Sequence, residues 1–338
     1  MGDLNAGEAA VLVTARSFGR GRPELRDELE RAVREVRWNE LGRPLAPDEL
    51  REAIVDVDGV IAGVDRFDAE VIGAAPRLRV IARHGTGTDS VDLAAARAHG
   101  VVVTNTPGAN AVAVAELAIG LMLALARRIA EGDRRMRAGG YAPLRGVQLA
   151  GRTVGLIGLG RIGGEVARRA AALGCGVLAH DPAVSLQDAG RMGARLASQE
   201  EVVAGADFLS LHVPVTESTR DLVDARFLRR MRRGAFLVNT ARGELVVEDD
   251  LVRALESGWL AGAGLDTMRD EPPRPGNPLL ERDDVILTPH SGAETDEARA
   301  AMGRAALDDL LAVLDGRSPR HPVPTAVRPA RAGDAADE

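Results

Sequence analysis

Residues 153–174 read TVGLIGLGRIGGEVARRAAALG. A short apolar run meets Gly158, Gly160 and Gly163 in G-x-G-x-x-G spacing, and the glycines open directly onto a helical pattern. In a chain with 38 glycines the bare spacing says little, because it arises by chance. Strand before and helix after are what give it content. Gly158 permits a tight turn, Gly160 lets the backbone approach a pyrophosphate, and Gly163 lets the helix lie close on the strand. The N–H groups of Arg161 and Ile162, at the helix start, then bind the anion. The next apolar run, GVLAH, ends at Asp181, about 20 residues further on, where a carboxylate accepts ribose hydroxyls and repels a 2′-phosphate. Pro182 follows instead of an arginine, so the expected cofactor is NAD and not NADP.

Outward from this stretch, short apolar runs alternate with amphipathic spacers in both directions, the pattern of parallel sheets covered by helices. A first series of strands is read at residues 11–14, 59–62, 80–82 and 101–104. A second is read at 153–157, 177–180, 208–212, 235–239, 262–265 and 285–288. Between the series, residues 111–128 form a helix apolar around its whole circumference, expected to pack between domains or against another subunit. The last long helix, 295–314, can return to the first series. The expected class is therefore α/β with two doubly wound parallel-sheet domains, one discontinuous. The boundaries read 1–105 with 296–325, then 106–295, with 326–338 a disordered tail.

Composition narrows the chemistry. The 338 residues are 45% hydrophobic, enough for two cores, and the net charge of −7 provides no positive field for nucleic acid or an anionic membrane. All 43 basic residues are arginine, which removes Schiff-base, pyridoxal-anchoring and Walker-type lysine chemistry. The single cysteine, Cys175, excludes an internal disulfide and a cysteine-cluster metal site, and no metal is expected. No apolar run reaches the ~18 residues of a membrane span. The stretch MGDLNAGEAA has no signal-peptide pattern, so the expected location is the cytoplasm. The Ala- and Arg-rich composition looks like that of a high-GC bacterial genome.

Five segments, in order, carry a resemblance: RHGTGTDSVDLAAARAHGVVVTNTPGANAVAVAELAIGLMLALAR, GLGRIG, NTARGELV, LDTMRDEPP and TPHSG. Over about residues 55–320 they resemble the D-isomer-specific 2-hydroxyacid dehydrogenase family, whose members include D-3-phosphoglycerate dehydrogenases. The resemblance implies a Rossmann NAD-binding domain inserted into a flavodoxin-like substrate domain. It also implies a small 2-hydroxy or 2-oxo acid as substrate and a homodimer. The family's arginine falls on Arg242, its acid on Glu271 and its histidine on His290. A guanidinium grips the substrate carboxylate and polarises the C2 oxygen. Imidazole, with an ordinary pKa near neutrality, takes or returns the hydroxyl proton, and the carboxylate steadies the ring.

The same resemblance places Asp266 at the nicotinamide carboxamide and His212, Val213, Pro214 and Thr219 on the adenine and ribose side. Thr240, Ala241 and Val114 fall on further cofactor-lining positions, and His290 is shared by cofactor and substrate. It gives the substrate carboxylate the backbone of Gly85, Thr86 and Gly87, an anion-binding nest. Arg83, two residues earlier, suggests a second anionic group on the acid. Ala62 and Gly63 stand where phosphoglycerate dehydrogenases carry another arginine, and a form without the regulatory domain is expected. An alternative reading from a different class is an NAD(H)-sensing binding module of the C-terminal-binding corepressor type.

Overall fold

The computed structural model describes residues 5–324. They form two compact units, residues 5–110 with 295–324, and residues 111–294. The tail read at 326–338 lies outside the described residues. The first unit carries β1 (Ala10–Val13), α1 (Pro23–Ala32), β2 (Glu35–Trp38), α2 (Pro47–Ile54), β3 (Gly59–Ala62), α3 (Ala69–Gly73), β4 (Val80–Arg83), α4 (Leu93–Ala98) and β5 (Val102–Thr104). Its strands pair in parallel in the order β2-β1-β3-β4-β5. This is the flavodoxin-like doubly wound order, whose switch point falls between β1 and β3. β1 and β3 are buried along their whole length, as strands covered on both faces must be. The strand β2 was missed in the sequence because EVRW, half-exposed at the sheet edge, shows no apolar run.

The second unit carries α5 (Ala111–Arg127), α6 (Ile129–Arg137), β6 (Thr153–Ile157), α7 (Arg161–Ala172), β7 (Gly176–His180), α8 (Leu186–Arg191), β8 (Arg195–Leu196), α9 (Gln199–Gly205), β9 (Phe208–Leu211), α10 (Ala225–Arg230), β10 (Ala235–Asn239), α11 (Glu248–Glu256), β11 (Leu260–Leu265) and β12 (Val285–Leu287). Its seven parallel strands run β12-β11-β10-β9-β6-β7-β8. The order reverses between β6 and β9, and ligands of such sheets bind beyond the strand ends at that reversal. The helix expected to pack between domains or against another subunit contributes one face to this unit's core: Leu121 and Leu125 of α5 lie against Gly262 and Gly264 of β11, where a Cβ would press into them.

The chain then returns through α12 (Asp296–Leu314) to the first unit. Two boundaries shift from the sequence reading. Residues 106–110 belong with the first unit, because Thr106 N–H donates to Gly85 O at 3.1 Å and the Thr86 hydroxyl to Asn110 Oδ1 at 3.1 Å. Thr295 caps α12 through Ala298 N–H at 3.1 Å and goes with it.

Beyond α12 a short strap crosses back along β5, where Val323 N–H donates to Val103 O at 2.8 Å. Its anchor is Asp309, 1% exposed, which accepts from the N–H groups of Arg320 (2.7 Å) and His321 (3.2 Å) and pairs with His321 Nδ1 at 3.0 Å. Asp309→Ala leaves these donors without their acceptor and is expected to lower the unfolding free energy by about 1–3 kcal/mol. Urea denaturation of the variant checks this; an unchanged midpoint contradicts it.

Candidate active site

The glycine loop joins β6 to α7 at the reversal of the second sheet. Gly158 has φ +95°, and a Cβ there would stand 2.5 Å from His212 O and 3.0 Å from Val213 Cγ1. A Cβ on Gly163 would meet Gly158 O at 2.3 Å, so the helix can sit this close only with glycine. Gly160 differs, because a Cβ there would meet nothing within 4 Å. Protein packing does not require glycine at 160; the open space in front of it does, if a ligand is to approach the backbone. Helices α8, α9, α10 and α12 are capped by Ser185, Ser198, Asp224 and Thr295. Helix α7 has Gly160 at its cap and no side-chain cap, so its first N–H groups, Arg161 and Ile162 among them, receive no capping side chain and could meet an anion.

Asp181 stands just beyond β7. Its Oδ2 accepts from Leu159 N–H at 2.8 Å and its Oδ1 from Ala183 N–H at 2.9 Å, which ties the carboxylate to the glycine loop and keeps one acceptor position on each oxygen. Across the switch point, His212 is partly buried and its ring bonds Ser210 Oγ at 2.9 Å through Nε2. Burial pushes its pKa down to about 4, so it is neutral and shapes the loop. The Thr219 hydroxyl donates to Pro214 O at 2.6 Å and accepts from Thr216 N–H at 2.8 Å, closing the 214–219 turn. Thr240 is buried, and its hydroxyl has no partner among the described residues. An orphaned hydroxyl beside the strand ends, an uncapped helix start and an open glycine together fit a bound dinucleotide.

Three loops bring Arg242, Glu271 and His290 together. Beyond β10, Asn239 shapes the turn that presents Arg242: its Nδ2 donates to Arg242 O at 2.8 Å and its Oδ1 accepts from Ala241 N–H at 3.0 Å. Beyond β11, Glu271 Oε1 accepts from Met268 N–H at 3.1 Å. Its Oε2 lies 2.7 Å from His290 Nδ1, the bond on which the arrangement turns. A carboxylate accepts only, so Nδ1 carries the proton and Nε2 is left as the titrating nitrogen. The ring remains 47% exposed and the carboxylate 40%, so the pair is reachable from outside.

The hydrogen bond with Glu271 raises the His290 pKa above its ordinary value, and the carboxylate's charge adds to it, against burial and the nearby Arg242. Burial alone would push Glu271 up, but the hydrogen bond and charge of His290, the Met268 N–H and Arg242 together hold it below its usual range. Arg242 therefore acts electrostatically on both members.

His290 has φ 51°, a left-handed conformation uncommon outside glycine. Asp266, 2% exposed, is what holds it there. Its Oδ1 accepts from the Thr288 hydroxyl (2.6 Å) and Ser291 N–H (2.7 Å), and its Oδ2 from Gly292 N–H (2.9 Å). The His290 N–H donates to Asp266 O and Thr288 O, both at 2.9 Å. The sequence reading assigned Asp266 to the cofactor and missed this role in holding the histidine loop. Val114 of α5 lies against the same loop at Gly292, where a Cβ would come within 3.2 Å of Val114 Cγ2.

In the first unit, Gly85, Thr86 and Gly87 follow β4. Their N–H groups meet no acceptor among the described residues, while Asn105 Nδ2 holds Thr86 O at 2.7 Å. Arg83 is buried and donates from Nε to Gly87 O at 3.0 Å and from Nη1 to Ala62 O at 3.1 Å. Its guanidinium braces the turn.

The chain is similar to known proteins in sequence and in fold. The family model described as "D-isomer specific 2-hydroxyacid dehydrogenase, NAD binding domain" matches residues 119–292. The chain is 42% identical over 266 residues to a D-3-phosphoglycerate dehydrogenase of Archaeoglobus fulgidus, covering 78% of this chain and 50% of that protein. It thus spans about half the length of that relative. To a glyoxylate reductase of Korarchaeum cryptofilum it is 37% identical over 316 residues, covering 91% of this chain and 94% of the relative. Among solved structures, the TT0316 protein of Thermus thermophilus superposes with a TM-score of 0.84 at 41% identity, covering 93% of this chain and 99% of that one.

Gly163→Val would force β-branched atoms onto Gly158 O, an overpacking of about 1–3 kcal/mol. The glycine loop is expected to yield before the sheet does, weakening NADH binding by about tenfold or more. Fluorescence titration with NADH measures this; wild-type affinity would contradict the packing argument.

Proposed function

The chain belongs to the D-isomer-specific 2-hydroxyacid dehydrogenase family, and from that membership we propose that it is an NAD-dependent enzyme moving a hydride between nicotinamide and C2 of a small D-2-hydroxy or 2-oxo acid. The observation that carries the proposal is the 2.7 Å contact between His290 Nδ1 and Glu271 Oε2 at strand ends beside Arg242. When bound, NAD supplies the hydride donor or acceptor. Gly158, Gly160 and Gly163 shape its pyrophosphate site, the N–H groups of Arg161 and Ile162 bind the anion, and Asp181 receives the ribose hydroxyls. Arg242 holds the acid's carboxylate and polarises its C2 oxygen, an interaction that a planar bidentate cation makes well. His290 gives its Nε2 proton to that oxygen in reduction and takes it back in oxidation. Glu271 fixes the ring's tautomer and favours its charged form.

The engagement of Arg83 with Ala62 O and Gly87 O supports an acid without a second anionic group. So does the match over nearly the whole length of a glyoxylate reductase. Glyoxylate and hydroxypyruvate are therefore expected to give higher kcat/KM than 3-phosphohydroxypyruvate or phosphonopyruvate. A homodimer is the proposed assembly. Ile129, Met136 and Tyr141, all more than half exposed, crowd into one stretch of the second unit; sedimentation as a monomer at micromolar concentration would contradict it. Among the described residues no helix is long and apolar enough to cross a membrane.

In a nicotinamide absorbance assay with that panel, His290→Ala is expected to lower kcat by about 10²- to 10⁴-fold with NADH binding nearly unchanged. Equal loss of both would contradict the role. The pH dependence follows from the raised pKa of His290: the protonated ring that reduction needs persists above the ordinary value near 6.5. Reduction should therefore stay flat through that pH and fall only above it. In Glu271→Gln the fall should move to lower pH, and an unmoved profile would rule out the pairing. Asp181→Ala should narrow the preference for NADH over NADPH while leaving kcat with NADH largely intact; an unchanged preference would refute the ribose assignment.

A further inference from the structure

The loop that presents Glu271 has little packing of its own. Between Met268 and Leu279, both buried, the chain is largely exposed, so apolar contact cannot set the position of the carboxylate. Its anchors are polar, and two of them meet at one side chain. Glu248, the first residue of α11, accepts from Arg269 N–H at 2.8 Å through Oε1 and from Asn277 Nδ2 at 2.9 Å through Oε2. Asn277 is itself oriented, because its Oδ1 accepts from Leu279 N–H at 3.0 Å. One carboxylate thus ties the start of the loop to its end, with Glu271 enclosed between.

The near end is held in register with the arginine loop by contact between main chains. A Cβ on Gly243 would stand 2.0 Å from Met268 C and O and 2.4 Å from Arg269 N, so the residue after Arg242 lies directly on the residues before Glu271. The Arg269 guanidinium donates to Val246 O at 3.1 Å and pairs with Asp221 on the same side. We propose that Glu248 is a positioning residue for the acid–base pair: by clipping residues 269 and 277 together it sets where Glu271 meets the imidazole of His290. This rests on the functional reading above, and it adds a residue outside the site. The plain alternative is that Glu248 only places negative charge in the first turn of a helix, where Asp249 and Asp250 do the same.

The test uses the full-length protein and two readouts. The first is the titration midpoint of the His290 imidazole by NMR, assigned by its loss in His290→Ala. The second is kcat for glyoxylate or hydroxypyruvate reduction. In Glu248→Ala the midpoint is expected to move down toward that of Glu271→Gln. A loss of kcat between about tenfold and 10²-fold, the penalty for a small misplacement of a reacting group, should accompany it, with KM for NADH unchanged. Glu248→Gln keeps an acceptor for Arg269 N–H and should recover part of both. Asn277→Ala frees the far end and should move the midpoint in the same direction, which keeps the test available if Glu248→Ala does not fold.

Asp249→Ala removes the same charge from the same turn and should leave the titration alone. A midpoint in Glu248→Ala equal to that of wild type, or an equal shift in Asp249→Ala, overturns the proposal. The two readings fail separately. If wild type reduces none of the acids yet the Glu248→Ala shift is seen, the clip stands and the assigned activity falls. If wild type is active and the midpoint is unmoved, the clip falls alone.

Discussion

A carboxylate shut away from solvent holds the loop on which the acid–base chemistry stands. Asp266 gathers the Thr288 hydroxyl and the N–H groups of Ser291 and Gly292, and the backbone between them turns left-handed at His290. An isolated ion at that depth would be strongly disfavoured; three donors compensate it, and in return it over-determines the loop. A left-handed histidine is strained by itself, and such strain persists only where the surroundings leave no alternative. The ring is thereby delivered to Glu271, and the imidazole acquires its tautomer and its raised pKa from that contact.

The rest of the second unit follows the same division of labour. Strands buried on both faces place their ends with little freedom, and irregular backbone beyond those ends carries the chemistry. At the sheet's reversal, glycines 158 and 163 are imposed by close approach of the protein to itself, while Gly160 faces open space. The two kinds of glycine separate what the fold needs from what a ligand needs. Asn239, Asp266 and Glu248 then act as short polar braces that orient Arg242, His290 and Glu271 in turn.

Much of this was legible in the sequence where the physics is local. The nucleotide loop could be read because strand, turn and helix start follow one another in a single segment, and the α/β class because buried parallel strands read as unbroken apolar runs. The members of the triad were named by resemblance, and no periodicity would have singled out His290 or Glu271. Less visible were the sheet edges: EVRW in β2 and the two-residue β8 lack the apolar run that marks a buried strand. The packing of helix 111–127 on β11 could not be read locally, because it depends on Gly262 and Gly264 far along the chain. The bracing roles of Asp266 and Glu248 were passed over because most of their partners are main-chain N–H groups, which leave no residue-type signal, and the side-chain partners Thr288 and Asn277 lie 22 and 29 residues away in sequence.

The account turns on the ring state of His290, and nitrogen-resolved NMR of that imidazole tests it most directly. Nδ1 should remain protonated throughout the titration while Nε2 alone gains and loses its proton, at a midpoint above the ordinary histidine value near 6.5. A neutral ring carrying its proton on Nε2, or a midpoint at or below that value, would contradict it.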